Sequence, residues 1–453
     1  MELRITVETV FENGRTVKHR LGIWRRSAEH LHPEGIGLLM EDGHTMLSQI
    51  QKVAIEAQME EISVTCRACP CFGKERPIHD YRTRSLETLF GRLKVKAPRI
   101  KPCRCQVVLN PKGSPLSPLS HLLPDRATPE MTRLQAELGA RHSFREAARL
   151  MEQLLPCARQ CRMTVRGRMA RVADDMERRT LQPIEVLPPT GKQDHAVSVF
   201  LDGAHIRCRP EYQKRHLDVV VGRIESGKKK GRFAFESSSS LSPRALICAR
   251  LQSAGWQPGQ NITVFTDGEP GLVNHVRSAT GRPVTHILDW WHISMRIKHV
   301  ENAAAGLQDR CAGRKGADKL PWLAKRLRWL IWHGQTTKAL VGLRHLRWRA
   351  ESLQDLTRSL VGLAIQRIRK RGEFLATYLE NNAGSIPDYG KRHRDGHPVS
   401  TSRAEGCVDD LANLRMVKRR RMRWSPKGAH RVAITRAAVL DGRLNVSHRP
   451  KAA

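Results

Sequence analysis

Three short apolar runs decide the predicted fold: HAVSVFLDGAHI (195–206), NITVFTDGEP (261–270) and VTHILDWWHI (284–293). Each run is rich in β-branched and apolar residues, and each leads to an acid, Asp202, Asp267 or Asp289. Such runs, separated by helical patterns, are typical of buried strands in an α/β sheet. A carboxylate at a strand end lies at the sheet edge where ligands bind. Carboxylates that converge there predict a site for two divalent ions, the apparatus of phosphodiester chemistry.

Two more strand candidates, RHLDVVVGRIES (215–226) and GRFAFESS (231–238), follow the first run. The resulting order, β-β-β-α-β-α-β, is that of an RNase H-like mixed sheet, which we expect over residues 192–295. In that fold the strands carrying Asp202 and Asp267 are neighbours, so their carboxylates would meet. A single Asp-Gly pair is more often a turn. Two such pairs at strand ends, in so basic a chain, favour a site.

A third acid is expected downstream, in TSRAEGCVDDLANL (401–414). Glu405 begins an amphipathic stretch in which one helical face is expected to carry Ala404, Val408, Leu411 and Leu414. We expect residues 396–446 to return to the catalytic core. Glu405 is the predicted third metal ligand, and Asp409, one turn further on, is its rival. Ser402 and Glu405 also have capping-box spacing, so Glu405 could cap the helix as well. Asp289 is a strand-end acid that could compete with Asp267.

Between these parts of the core, residues 296–395 predict an all-helical insertion rich in Arg, Leu and Trp. We expect its tryptophans to pack in the helix core, with Arg and Lys on the opposite faces lining a DNA channel. The tryptophans concerned are Trp322, Trp329, Trp332 and Trp348.

The N-terminal part contains closely spaced cysteines. Residues 1–60 predict a strand and an amphipathic helix, without assigned chemistry. Residues 61–108 carry two cysteine groups around a hairpin-like stretch, and thiolates at this spacing suit tetrahedral zinc. The expectation is a zinc-ribbon-like segment with a structural Zn²⁺, and the alternatives are Cys71 as a replacement ligand or free buried cysteines. The predicted zinc ligands are Cys66, Cys69, Cys103 and Cys105.

Residues 125–182 contain two helical patterns with a short break, typical of a helix-turn-helix. Ser143 stands three residues before Glu146, at capping-box spacing, and the second helix is predicted to start after Thr164. The predicted DNA contacts are Arg162, Arg166 and Arg168 here, and Lys418, Arg419, Arg420, Arg421 and Arg423 near the C-terminal end.

Charge dominates the composition, since 79 Lys and Arg against 44 Asp and Glu give a net charge of +35. Basic clusters recur along the whole chain, which indicates a polyanionic partner, most simply nucleic acid. A ribosomal or chromatin-like basic protein is the alternative. No stretch reaches the length of a membrane span, and we expect neither a signal peptide nor a membrane partner. The expected location is a prokaryotic cytoplasm, at the nucleoid.

Several motifs together resemble DDE transposases of bacterial insertion sequences, and in particular the Kra group, which is distantly similar to Mutator-like elements. The resemblance covers nearly the whole chain. It is carried by Asp202-Gly203-Ala204, Asp267-Gly268, Asp289-Trp290-Trp291-His292 with Ser294-Met295-Arg296, Glu405-Gly406, and Met422-Arg423-Trp424-Ser425 with Gly428-Ala429.

The resemblance implies DNA cleavage and strand transfer by a polynucleotidyl transferase. Asp202, Asp267 and Glu405 would hold two Mg²⁺ ions. Asp289 and His292 would match a paired motif near the site that does not bind metal. A homo-oligomer is expected, because both element ends must be paired. The alternatives are an RNase H-like nuclease or resolvase without strand transfer, and a non-catalytic DNA-binding protein derived from a transposase.

Overall fold

The computed structural model describes residues 2–25, 33, 36–69, 71, 73–103, 114–123, 125–181, 196–354, 359–401, 406–416 and 422–444. The chain divides into two compact units, Met1–Val172 with Leu444–Ala453, and Ala173–Arg443. Helices and three separate β-sheets make up these units, so the expectation of a multidomain α/β protein is confirmed at that level.

The first unit begins with a hairpin where the sequence had suggested a single strand. Strand β1 (Glu2–Val10) pairs antiparallel with β2 (Thr16–Arg25), and helix α1 (Met40–Thr65) follows. The turn contains Asn13 and Gly14, and Gly14 has a φ of +80°. An Asn-Gly pair is a strong hairpin signal because both residues tolerate positive φ. The second strand was therefore visible in the sequence but was missed.

A second hairpin lies between the two cysteine groups, as predicted. Strand β3 (Ile78–Thr88) pairs antiparallel with β4 (Gly91–Ile100). Its apolar face packs against one face of α1, and together they form a small core. That core includes Ile55, Met59, Leu86, Val95 and Ala97.

Four helices follow in chain order: α2 (Pro118–Leu122), α3 (Pro129–Arg141), α4 (Phe144–Leu154) and α5 (Arg162–Leu181). The predicted cap is present, since the Ser143 hydroxyl accepts a hydrogen bond from the Glu146 amide at 3.2 Å.

The start of α5 was predicted three residues too late. Helix α5 begins at Arg162 and not after Thr164. The Val165 amide donates a hydrogen bond to the Cys161 carbonyl at 3.1 Å, so Cys161, and not Thr164, stands at the position before the helix.

The second unit is built on a five-stranded mixed sheet. Its strands are β5 (Val197–Arg207), β6 (His216–Ser226), β7 (Lys229–Glu236), β8 (Ile262–Thr266) and β9 (Thr285–Leu288), in the spatial order β7-β6-β5-β8-β9. Strand β6 runs antiparallel to both of its neighbours, whereas β5, β8 and β9 are parallel. All five strands were predicted from their apolar runs.

Helices supply the apolar surface that covers this sheet. Helices α6 (Pro243–Ser253) and α7 (Pro270–Thr280) connect β7 to β8 and β8 to β9. They share a core with the β5, β7 and β8 side chains, and Ile434 of helix α13 (Pro426–Leu440) joins it. Helices cover the sheet, so its strands are mostly buried. This burial explains why the strands are continuous apolar runs in the sequence.

In the described part of residues 296–395, helices follow the last strand, as expected of this segment. They are α8 (Trp290–Arg310), α9 (Lys319–Trp332), α10 (Thr336–Glu351), α11 (Ser359–Asn381) and α12 (Tyr389–Arg394). Their leucines and alanines form one continuous core that reaches Phe200 and Phe265 of the sheet.

The expectation that the tryptophans lie in this core is wrong for three of the four. Trp322, Trp329 and Trp348 are 58%, 53% and 61% exposed, because leucine and alanine occupy the inward positions of α9 and α10. Trp332 does pack inward, with its ring 4.7 Å from that of Trp290 and 6.1 Å from that of Tyr389.

The C-terminal stretch contains a π-helix, Asp409–Asn413. A π-helix bonds residue i to i+5, so positions five apart share a face. Leu411 and Met416 are accordingly both buried, whereas Leu414, predicted on the same face as Leu411, is 54% exposed. Trp424 then bridges to the end of β5, and Ser425 caps α13 through the Gly428 amide at 3.2 Å.

Candidate active site

Three acids stand at one edge of the five-stranded sheet because of its strand register. Asp202 lies within β5, while Asp267 and Asp289 come directly after β8 and β9. The parallel ladder pairs Phe200 with Phe265, and the next pairs Thr266 with Leu288. Continuing these registers brings the three acids to corresponding positions on adjacent strands. Asp202 and Asp267 therefore meet in the manner that the sequence predicted.

The half-buried carboxyl group of Asp202 has a pKa above its usual value. Burial raises its pKa, and the negative charges of Asp267 and Asp289 raise it further, while a hydrogen bond from the Gly203 amide at 2.8 Å opposes them. A carboxylate that is costly to ionise because of neighbouring carboxylates is one that a bound cation would stabilise.

The backbone around Asp267 is held from two sides. Its Oδ1 accepts a hydrogen bond from the Glu269 amide at 3.0 Å, and its carbonyl accepts one from the Tyr378 hydroxyl at 2.6 Å. Tyr378 belongs to α11, and burial raises the pKa of its phenol well above the usual value. The helical block therefore fixes the end of β8 directly.

A fully bonded carboxylate distinguishes Asp289 from the other two acids. Oδ1 accepts the amides of Trp291 and Thr401, both at 2.9 Å. Oδ2 accepts the Thr401 hydroxyl at 2.6 Å and pairs with His292 Nδ1 at 2.7 Å. A carboxylate has about four lone-pair sites, and all are occupied. This arrangement suits a positioning residue better than a metal ligand.

Opposite charges shift the pKa values of this pair in opposite directions. Burial alone would raise the pKa of Asp289, but hydrogen bonds from His292 and Thr401 outweigh burial and lower it. Burial alone would lower the pKa of His292, but Asp289, followed by Asp267 and Asp202, raises it. Nε2 of His292 has no hydrogen-bond partner among the described residues, which leaves this nitrogen available as a donor near the acids.

The predicted third ligand, Glu405, lies outside the described residues, as does Ser402. The structure does describe Thr401, which is buried at Asp289, and Asp409, which is exposed at the start of the π-helix. The choice between Glu405 and Asp409 therefore stays a prediction.

A fourth acid near the strand ends was missed by the sequence analysis. One Glu269 carboxylate oxygen lies 3.4 Å from the point that a Cβ on Gly203 would occupy. Glu269 stands two residues after Asp267, in the Asp-Gly-Glu-Pro stretch before α7. Its proximity to the turn after a predicted catalytic acid was the available signal.

Two of the predicted zinc ligands approach each other. Cys69 and Cys103 have their sulfur atoms 3.3 Å apart, although they are far apart in sequence. Cys66 is half-buried at the end of α1, and Cys71 is exposed. Across the described ranges, no three His, Cys, Asp or Glu side chains are grouped as a metal site, and Cys105 and Glu405 both lie outside those ranges.

One of the predicted DNA contacts has to be corrected. Arg168 is only 4% exposed, and its guanidinium pairs with Glu87 at 2.7 Å and with Gln135 at 2.9 Å. A side chain buried in this way has no surface for a phosphate, because its two terminal nitrogens already bind Gln135 and Glu87. We therefore reassign Arg168 to a structural role, whereas Arg162 is exposed and Arg166 is half-buried.

Arg162 borders a basic pocket that the sequence did not reveal. The pocket has a volume of about 640 Å³ and is lined by Arg92, Arg145, Arg149, Arg159 and Arg162, with Ala148, Glu152, Gln160 and Cys161. Its arginines come from β4, from α4, and from the loop and first turn of α5. Only the tertiary fold gathers them.

The C-terminal basic run is described in part. Arg423 is exposed, and Lys418, Arg419, Arg420 and Arg421 lie outside the described residues.

Comparisons with known proteins add no relative to this picture. No protein-family model matches the chain, and no curated protein matches it. Within the described ranges, no helix is both long and apolar enough to cross a membrane.

Proposed function

We propose that this chain is a DDE transposase of the insertion-sequence type, with an RNase H-like catalytic core. The observation that carries the proposal is the meeting of Asp202 and Asp267 on adjacent parallel strands. The strand order β7-β6-β5-β8-β9, with β6 alone antiparallel, supports the same assignment, because it reads 3-2-1-4-5 in the numbering of that core.

The donor set fits a divalent cation. Mg²⁺ prefers oxygen ligands and binds through few carboxylates. The raised pKa of Asp202 reflects burial first and then repulsion from Asp267 and Asp289, and a bound cation would offset that repulsion. Asp202, Asp267 and Glu405 would hold the two ions. When bound, the ions supply an activated water or 3′-hydroxyl and stabilise the leaving oxygen.

The remaining residues have separate tasks in the proposal. Asp289 holds His292 through Nδ1, so that Nε2 can donate a hydrogen bond to a phosphate oxygen of the substrate. Glu269 adds negative charge beside Gly203 and strengthens the attraction for cations. Tyr378 fixes the backbone of Asp267, and thereby the distance between the two strand-end acids.

DNA recognition is assigned to the first unit. Arg162 and the other arginines of the basic pocket would bind backbone phosphates, as guanidinium groups do, and helices α3 to α5 would serve as the predicted helix-turn-helix. The approach of Cys69 and Cys103 supports a structural zinc, with Cys66 and Cys105 completing the set. As part of the same proposal, the protein acts as a homo-oligomer on nucleoid DNA in a prokaryotic cytoplasm.

The test is a cleavage and strand-transfer assay with Mg²⁺, on DNA that carries the sequences flanking the gene. We expect nicked and joined products from the wild-type protein, and DNA binding without products from Asp202→Asn and Glu405→Gln. The matched control is Asp218→Asn, since Asp218 is an exposed acid of β6 that pairs with His205. His205 is three residues after Asp202 and so lies on the other face of β5.

The outcomes separate the three candidate functions. Nicking without joining would replace the transposase with an RNase H-like nuclease. Binding without chemistry in the wild-type protein would favour a DNA-binding derivative. Wild-type cleavage by Asp202→Asn would refute the assignment of the active site.

A further inference from the structure

Helix α9 exposes two tryptophans on the face opposite its core. The helix buries Leu320, Leu323, Ala324, Leu327, Leu330 and Ile331. Trp322 and Trp329 are 58% and 53% exposed. They are seven residues apart, which is about two turns and roughly 10 Å along the helix. Both indoles therefore project from one side. The exposure of two apolar rings to water is unfavourable in free energy. A bound partner that covers the rings would remove this cost.

Basic side chains alternate with these rings. The Arg326 guanidinium lies 5.4 Å from the centre of the Trp322 ring, and the His333 ring lies 4.2 Å from that of Trp329. Positions 322, 326, 329 and 333 follow the i, i+4, i+7, i+11 spacing of a single helical stripe. We call these four residues the α9 stripe.

The surrounding charge indicates which partner fits the α9 stripe. The sequences of α9 and α10 hold eight basic residues and one acid, Glu351. Arg328 and Arg347 also pair with Glu301 and Glu373 of neighbouring helices, which still leaves a net positive charge. The basic residues are Lys319, Lys325, Arg326, Arg328, Lys338, Arg344, Arg347 and Arg349. A second copy of this surface would bring like charges together, which opposes self-association. A polyanion with flat apolar groups matches both the charges and the rings.

Unpaired bases have those properties, whereas duplex DNA keeps its bases stacked inside. Base faces stack on exposed aromatic rings independently of sequence, and neighbouring Arg and Lys bind the phosphates. We propose that the α9 stripe binds single-stranded DNA by stacking bases on Trp322 and Trp329. This inference goes beyond the proposed cleavage reaction, because such binding needs neither metal nor the catalytic acids.

The test measures binding of a fluorescein-labelled oligothymidylate to the full chain, by fluorescence anisotropy in buffer without Mg²⁺. The double variant Trp322→Leu, Trp329→Leu keeps apolar bulk but loses the aromatic face. We expect it to weaken single-strand binding at least about 10-fold. The matched variant Trp322→Phe, Trp329→Phe keeps a ring at each position and should stay within about 3-fold of wild type. A duplex of the same length should bind all three proteins alike.

A second readout does not depend on the leucine variant folding. Oligothymidylate should quench the intrinsic fluorescence of the wild-type protein, and this quenching should shrink when both tryptophans are replaced by phenylalanine. Quenching equal to wild type in the phenylalanine variant would overturn the proposal. So would wild-type affinity in a folded leucine variant.

Two further measurements identify the competing outcomes. If the leucine variant dissociates an oligomer in sedimentation velocity and retains its affinity for oligothymidylate, the α9 stripe is a protein interface and the proposal fails. Asp202→Asn should bind oligothymidylate like wild type. The two proposals can therefore fail separately, since this assay contains no Mg²⁺ and the tryptophan variants keep all the acids.

Discussion

Thr401 binds Asp289 twice, although 112 residues separate them, through its amide to Oδ1 at 2.9 Å and its hydroxyl to Oδ2 at 2.6 Å. Both residues are buried, Asp289 completely. The contact ties the segment that precedes Glu405 to the end of β9. It thereby joins the two parts of the core that the helical segment separates in sequence.

Thr401→Val tests this tie. The substitution keeps the shape of the side chain but removes the hydroxyl, so one hydrogen bond to a buried carboxylate is lost. We expect the free energy of unfolding to fall by about 1–3 kcal/mol, measured by urea denaturation. Thr401→Ser keeps the hydroxyl and is the control. An unchanged stability in the valine variant would contradict the structural role of this bond.

The Asp289–His292 pair predicts how stability depends on pH. Protonated His292 contributes to the stability of the fold. Because its pKa is raised above 6.5, this contribution is fully present below pH 6.5 and is lost as pH rises through the raised pKa. The pKa of Asp289 is lowered below 3.8, so its contribution is lost only as pH falls through that lower value.

We therefore expect wild type to exceed His292→Gln in stability near pH 5.5, with the difference shrinking towards about pH 8.5. Thermal unfolding of both proteins across this range checks the direction. A difference that grows with rising pH would show that the pair does not form.

Removing the charge of Asp202 should stabilise the protein while it abolishes cleavage. The pKa of Asp202 is raised, so ionisation of this carboxyl group costs stability, and the cost grows as pH rises from 3.8 through the raised pKa. Asp202→Asn removes it, and we expect a gain on the order of 1 kcal/mol at pH 7.

Added Mg²⁺ should make the wild-type protein more stable than Asp202→Asn. A ligand at about 100 times its Kd stabilises the folded state by about 2.7 kcal/mol, and this gain requires Asp202. The melting temperature of wild type, but not of Asp202→Asn, should rise as Mg²⁺ is added. Equal shifts in both proteins would place the binding of magnesium elsewhere.

Arg168 and Arg162 should respond in opposite ways to alanine substitution. Arg168→Ala breaks a buried pair with Glu87 and should cost about 3 kcal/mol of stability. Arg162→Ala should leave stability almost unchanged but weaken DNA binding, and reduce the slope of log K against log salt by about 1. Denaturation and salt-dependent binding distinguish them. A reduced salt slope with unchanged stability for Arg168→Ala would restore it as a phosphate contact.

Gly268 is expected to be essential for the geometry at Asp267. Its φ is +97°, and an added Cβ would lie 2.9 Å from Leu288 Cδ1 and 3.1 Å from Asn382 Oδ1. Gly268→Ala should displace Asp267 and reduce cleavage about 100-fold. The control is Gly281→Ala, with a φ of +66° but nothing within 4 Å of its Cβ. Equal losses of cleavage in both variants would indicate a general effect of backbone strain.

Local patterns explain why much of the fold was predictable. The five strands of the main sheet were found because strands buried on both sides need apolar residues at nearly every position. The Ser143 cap was found because its partner, Glu146, is three residues away. The helical character of residues 296–395 was also predictable, because the periodicity of a helix is a local property of each segment.

Predictions failed where exposure depends on a distant partner. Arg168 looked like a surface residue of a basic helix, but Glu87 of β3 encloses it. Trp322 and Trp329 looked like core residues because they are large and apolar, but the smaller leucines of α9 fill the inner face. Leu414 was misplaced because one π-helical turn shifts the helical phase, which periodicity alone does not reveal.

The sequence by itself determined the strands and the acids that end them, because apolar runs and the residues that stop them are local properties of the chain. The tertiary structure alone decided which of these acids has all its acceptor sites filled by hydrogen bonds. Asp289 and Asp267 look equivalent in sequence, yet Thr401, His292 and the Trp291 amide together occupy every acceptor site of Asp289. Hydrogen bonds between residues far apart in the chain form only when the sheet brings them together, and no local pattern specifies them.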